Sequence, residues 1–167
     1  IGFLERVLVK NPMIKSAQVY YSLDGYIHVN IQQREPVLRV LTGEGYYVDR
    51  DGRVMPLSSK FTSRVVVATG DINKKFACEK LGPFAMKLKN EPFWDAYIEQ
   101  LVVRSNEDVV MIPKVGDFRI VLGKVDDCEV RLEKLILFLK DGITKKGWNR
   151  YKEINLKFDN QVVCVRK

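Results

Sequence analysis

The chain has 167 residues, of which 46% are hydrophobic, and a formal net charge of +7. This length is enough for one ordinary domain, or for one domain and part of another, and the hydrophobic content is sufficient for a packed core. No run of about 18 apolar residues occurs, which excludes a membrane-spanning helix or a signal peptide within the sequence.

The first part of the sequence predicts a short helix followed by a β-hairpin. Apolar residues recur at helical spacing up to Asn11-Pro12, and two alternating segments then flank a turn at Leu23-Asp24-Gly25. One helix on a two-stranded sheet buries little apolar surface. Residues 1–35 are therefore expected to be part of a larger folding unit.

From Pro36 onwards, β-strand patterns dominate. Short apolar or alternating segments predict a meander of strands at residues 37–41, 46–49, 54–55 and 65–69. Two helices are expected next, one over residues 76–89 with a break near Gly82-Pro83 and one over residues 92–101. A hairpin around Ser105 to Asp108 and a strand over residues 118–122 follow.

The last elements are a helix and a terminal hairpin. Asp126 and Glu129 have the spacing of a capping-box variant, before a helix whose apolar stripe runs from Leu132 to Leu139. Alternation up to Phe158, an Asp159-Asn160 turn and a straight run to the C-terminus predict the hairpin. The order of elements predicts an α+β fold with a mostly antiparallel sheet. Residues 36–167 are expected to form the main domain of the chain.

A strand that closes a domain often lies at a sheet edge, where its unpaired N–H and C=O groups can pair with another chain. From Lys140 onwards there are eight Lys or Arg against three acidic residues, so this edge is basic. This charge is typical of a solvated surface, and it also fits attraction to an acidic protein partner or to an anionic membrane surface. The alternative is a polyanion-binding domain that recognises nucleic acid through Trp148, Tyr151 and Phe158 among lysines.

Residues that could carry catalysis are sparse. His28 is the single histidine, and alternation places it on the polar face of its strand. Cys78, Cys128 and Cys164 are far apart and have no metal-ligand spacing. Because no phosphate-binding loop or dinucleotide motif occurs either, we expect no catalytic residues, no metal, no cofactor and no enzymatic activity.

Several segments together resemble a known family. Asn11 to Val19 and Ile31 to Val37 are similar to the end of a POTRA domain that continues into the next domain of the bacterial cell-division protein FtsQ, also called DivIB. Tyr46 to Asp49 with Gly52 resemble the entry of its β-domain, and Ile154 to Phe158 resemble its closing hairpin. The order and spacing of the segments carry the resemblance, which covers nearly the whole chain.

The resemblance implies a non-enzymatic scaffold of the divisome, located at the division septum. Residues 1–35 would be the C-terminal part of a POTRA domain, and residues 36–167 an FtsQ-type β-domain. Family members are single-pass inner-membrane proteins whose corresponding region is periplasmic, and their N-terminal membrane helix has no counterpart in this sequence. Another POTRA-bearing membrane-assembly protein is the alternative within the same class.

The implied partners are FtsB and FtsL, small divisome proteins that bind near the C-terminal edge of the β-domain. By position, Lys157 and Phe158 match a basic and an aromatic residue that contribute to FtsB binding in the family, and Asn160 matches a polar turn position. The expected docking strand comprises Gln161, Val162, Val163, Cys164, Val165 and Arg166. We expect weak to moderate affinity, as well as weak self-association, because an unpaired edge can also pair with a second copy.

Overall fold

The computed structural model describes residues 1–60, 62–143, 147 and 150–167. The described helices are α1 (Gly2–Val9), α2 (Lys74–Phe76), α3 (Gly82–Asn90), α4 (Pro92–Tyr97) and α5 (Glu129–Phe138). The strands are β1 (Ile14–Tyr21), β2 (Ile27–Gln33), β3 (Pro36–Val40), β4 (Tyr46–Asp49), β5 (Val54–Met55), β6 (Val66–Gly70), β7 (Ile98–Arg104), β8 (Asp108–Pro113), β9 (Arg119–Gly123), β10 (Tyr151–Asn155) and β11 (Val163–Arg166). No helix in the described part of the chain is long and apolar enough to cross a membrane.

The N-terminal part contains the predicted helix and hairpin. β1 and β2 form a separate antiparallel two-stranded sheet, and α1 packs against β1. The carboxylate of Glu5 accepts a hydrogen bond from the backbone N–H of Val19 at 2.8 Å. This unit has little core of its own, since only Ile14 and Val19 are buried among its hydrophobic residues.

The remaining strands form one nine-stranded sheet in the order β11-β10-β9-β8-β7-β6-β3-β4-β5. Five of its strand pairs are antiparallel, whereas the pairs β3–β6, β6–β7 and β9–β10 are parallel. This arrangement confirms the predicted α+β class with a mostly antiparallel sheet. The predicted meander is wrong for β6, which lies on the far side of β3 from β4 and runs parallel to β3.

The long helix after β6 has the predicted irregularity. A π-helical turn, Ala77–Leu81, joins α2 to α3, and the N–H of Gly82 bonds to the carbonyl of Ala77, five residues earlier. Pro83 has no N–H to donate within the first turn of α3. The wider turn therefore falls where an ordinary helical hydrogen bond could not form.

The second predicted helix, residues 92–101, is wrong in its last four residues. α4 ends at Tyr97, and Ile98 to Leu101 belong to β7. A register shift between Ile98 and Gln100 in the pairing with β8 places two buried residues, Ile98 and Leu101, three positions apart. This β-bulge gives a strand the spacing of a helix, which misled the sequence interpretation.

The buried residues of the sheet and of the larger helices form a single hydrophobic cluster, which includes Trp94, Leu101, Leu135 and Ile154. The predicted stripe is confirmed: Leu132 and Leu135 of α5 are buried, Ile136 packs against the core, and Leu139 is buried in the π-helical turn that follows α5. The predicted cap is wrong: the N-cap residue is Cys128, which makes no side-chain cap bond. The carboxylate of Asp126 contacts Lys80 instead.

Candidate protein-docking edge

β11 is the outermost strand at one end of the nine-stranded sheet and pairs only with β10. The N–H of Lys167 bonds to the carbonyl of Arg150, so the backbone of Lys167 faces inwards. Because inward and outward positions alternate along an antiparallel strand, Val165 and Val163 also face β10. The backbone N–H and C=O groups of Cys164 and Arg166 therefore point away from the sheet. We call this outward flank the β11 edge.

The side chains of β11 divide between the two faces of the sheet. Cys164 lies opposite Ile154 and packs against the core, together with Val162. Burial raises the pKa of the Cys164 thiol above its usual value. Val163 and Val165 lie on the other face, and Val165 is 46% exposed. One face thus fixes the strand to the molecule, whereas the other offers apolar surface beside the open backbone.

The connection before β11 is longer than the predicted two-residue turn. β10 ends at Asn155 and β11 begins at Val163, so Gln161 and Val162 precede the strand, contrary to expectation. The side chain of Asn155 accepts a hydrogen bond from the N–H of Lys157 at 3.0 Å. We call the segment between the two strands, residues 156–162, the terminal turn.

Lys157 and Phe158, which the sequence resemblance singled out as partner-binding positions, have different environments. Phe158 is 47% exposed on the terminal turn, so it is not a core residue. The ammonium group of Lys157 lies 3.3 Å from the carboxylate of Asp108, which also accepts a hydrogen bond from Arg104 at 2.8 Å. Gly123 allows this arrangement: its φ is +87°, and a Cβ there would lie 3.1 Å from the Lys157 side chain. Asn160 and Arg166 are exposed.

A groove with a volume of ≈ 560 Å³ crosses the strands inward of β11 and reaches Lys167, the residue that follows β11. Its lining includes Val102, Val110 and Ile112 from β7 and β8. Four cationic residues also line it, namely Arg104, Arg119, Lys152 and Lys167, together with one acidic residue, Asp117. We call this feature the cationic groove. No sequence pattern predicts this groove, because Arg104 and Arg119 are far from the C-terminus in sequence and join Lys152 only through the pairing of four strands.

The charges in the cationic groove are only partly neutralised within the chain. Lys167 donates a hydrogen bond to Asp117 at 2.7 Å, and this bond lowers the pKa of the Asp117 carboxyl group. Arg119 and Lys152 have no ion-pair partner within the described ranges. The groove consequently has an excess of positive charge, which favours an acidic ligand. Trp148, part of the polyanion hypothesis, lies outside the described residues.

The histidine is not placed for a catalytic relay. His28 is exposed on β2, stacks on Tyr20, and has its Nε2 atom 3.1 Å from the hydroxyl of Ser22. The carboxylate of Asp24 contacts Ser22 rather than His28, so the carboxylate does not orient the imidazole. Among the described residues, no three His, Cys, Asp or Glu side chains are grouped so that they could hold a metal ion.

Comparison with known proteins adds one match. A family model described as "FtsQ/DivIB, C-terminal related" matches residues 35–165, which is well over half of the chain. The match begins one residue before β3 and ends within β11, so it includes eight strands of the large sheet and all but the last residue of the ninth. No curated protein matches the chain.

Proposed function

Because the chain belongs to the FtsQ/DivIB family, whose members are non-enzymatic components of the bacterial divisome, we propose that it acts as a divisome scaffold that binds other division proteins at its β11 edge. In the full-length protein this region lies outside the cytoplasm at the septum and is anchored by an N-terminal membrane helix. Residues 1–35 are the end of a POTRA domain, and residues 36–167 are the β-domain. The partners are FtsB and FtsL, which the family resemblance suggests.

The observation that carries this proposal is the position of β11 at the end of the sheet with outward-facing backbone groups. An added strand would bond to the N–H and C=O groups of Cys164 and Arg166, and its alternate side chains would meet Val163 and Val165. Each net hydrogen bond contributes about 1 kcal/mol, so strand addition alone gives modest affinity. Contacts outside the added strand must therefore supply the rest of the binding free energy.

The terminal turn and the cationic groove offer those contacts. Phe158 presents a half-exposed aromatic side chain next to the strand, and such residues often dominate protein interfaces. Arg119, Lys152 and Arg166 would attract acidic residues of the partner, which mainly raises the association rate and the specificity. Anchoring of all partners in one membrane would raise their effective concentration further.

The experiment is a fluorescence titration of the protein with the extracytoplasmic segment of FtsB from the same organism. Cys164→Pro removes an N–H that points outwards and leaves the β10–β11 ladder intact. An unsatisfied carbonyl on the partner costs about 1–3 kcal/mol, so affinity should fall at least about fivefold. Cys164→Ala is the matched control, because it changes the same side chain and keeps the N–H.

Two results would contradict the proposal. One is the absence of binding to the FtsB segment by the wild-type protein, and the other is equal affinity of Cys164→Pro and Cys164→Ala. A labelled single-stranded oligonucleotide tests the polyanion alternative in parallel. Oligonucleotide binding with a steep salt dependence, unchanged by Cys164→Pro, would favour that alternative.

A further inference from the structure

Lys134 of α5 holds the terminal turn from the helix side. Its ammonium group donates hydrogen bonds to the carbonyl of Phe158 at 2.7 Å and to the carbonyl of Asp159 at 2.8 Å. Lys134 itself is half-buried, and it lies next to Leu135, which is fully buried in the core. The turn is thus connected to a rigid helix by two bonds from one charged donor.

The position of these bonds matters because the terminal turn joins β10 directly to the proposed docking strand. β11 has only four residues and one neighbouring strand, so its own ladder restrains it weakly. Bonds to Phe158 and Asp159 fix the backbone that carries the exposed aromatic ring and leads into Val163. A charged donor gives stronger hydrogen bonds than a neutral one.

We propose that Lys134 is a positioning residue for the docking edge: through the carbonyls of Phe158 and Asp159 it holds the terminal turn and β11 in the geometry that a partner strand recognises. This inference rests on the proposed function of the β11 edge. Lys134 need not touch the partner. Because Lys134 already holds the terminal turn and β11 in place, less conformational entropy is lost when a partner binds. Affinity therefore rises without a new contact to the partner.

The test replaces Lys134 with Met, which keeps most of the side-chain length and removes the ammonium group. Affinity for the FtsB segment should fall about tenfold, equivalent to about 1.4 kcal/mol. Lys134→Arg retains a cationic donor and should restore most of the affinity. Lys75→Met, at an exposed position of α2, is the matched control for the loss of one positive charge and should leave affinity unchanged.

Amide hydrogen exchange provides a readout that requires no partner. In free Lys134→Met, exchange should accelerate within residues 158–166 and stay the same in β7 and β8, with little change in the melting temperature. Unchanged exchange in residues 158–166 would overturn the inference. So would an affinity equal to wild type, provided that the wild-type protein binds. If the wild-type protein does not bind the segment, the proposed function fails, whereas the exchange result still tests the role of Lys134.

Discussion

The two edges of the nine-stranded sheet differ in length and in what surrounds them. β5 has two residues, and Met55 is almost completely buried. β11 has four residues, with open backbone groups and the exposed side chains of Val165 and Arg166. A very short edge strand offers little template for another chain, whereas a longer one can pair. The contrast indicates that this molecule protects one edge and leaves the other available.

The β5 edge is also held by buried charge. Asp49, at the end of β4, is 2% exposed and forms an ion pair with Arg34 at 2.7 Å. Its other carboxylate oxygen accepts hydrogen bonds from the N–H groups of Asp51 and Arg53, in the turn that leads to β5. Since Arg34 directly follows β2, the same pair connects the N-terminal hairpin to the large sheet. No comparable buried ion pair supports β11 within the described part of the chain.

The largest expected effect comes from breaking that pair. Arg34→Met leaves a buried carboxylate without its cation and should lower the free energy of unfolding by about 3–5 kcal/mol. The measurement is urea denaturation followed by tryptophan fluorescence. Arg50→Met is the control: its partner Glu35 is 3.6 Å away, and both side chains are about half exposed, so the cost should be below about 1 kcal/mol. Equal losses for the two variants would show that the buried pair does not stabilise this edge.

The next prediction compares proline on the two edges. Because Arg53 bonds inwards to Asp49, the N–H of Val54 points outwards, as that of Cys164 does. Val54→Pro should leave affinity for the FtsB segment unchanged, whereas Cys164→Pro should lower it by the amount predicted above. The same titration measures both. A loss of affinity with Val54→Pro would mean that the two edges do not differ in function.

A smaller effect is expected from Phe158→Ala. The ring is half exposed, so its removal should change the free energy of unfolding little. It should weaken binding of the FtsB segment about fivefold to tenfold, within the usual range for a peripheral aromatic contact. Val130→Ala, on an exposed position of α5, is the apolar control. If both variants bind as the wild type does, the terminal turn contributes no contact and only the strand is recognised.

Local alternation and the order of short segments were sufficient to predict the fold class, the family and the presence of a terminal hairpin, but not the bounds of its strands or its seven-residue connection. The sequence was not sufficient to predict features that depend on pairing between strands that are distant in the chain. The bulge at Ile98 imitated helical spacing, and the parallel pairing of β6 with β3 has no local signal. The contact of Lys157 with Asp108 and the assembly of the cationic groove also depend on strand order. The groove could have been predicted only if the order of β7 to β11 had been known.

The smallest expected effect is a decrease in the free energy of unfolding at acid pH, with a contribution from each end of the sheet. Hydrogen bonds lower the pKa of Glu35, which bonds to Lys89 near β4, and of Asp117, which bonds to Lys167 near β11. A carboxyl group whose pKa is lower in the folded state than in the unfolded state stabilises the protein at any pH above its unfolded-state pKa, which is near 4. This stabilisation disappears as the pH falls through the folded-state pKa. Stability should therefore decline slightly between pH 5 and pH 3.

Lysine substitutions can assign that decline to each edge. Lys89→Met and Lys167→Met each remove the donor that lowers one carboxyl pKa, so each variant should lose less stability than wild type between pH 5 and pH 3, as measured by urea midpoints. Both pairs are largely exposed, so the differences should be small and should shrink further at high salt. If Lys167→Met instead becomes more sensitive to acid than wild type, the bond to Asp117 does not stabilise the end of the sheet that β11 closes. The β11 edge would then depend on its backbone ladder and on Lys134 alone, in contrast to the charge-supported edge at β5.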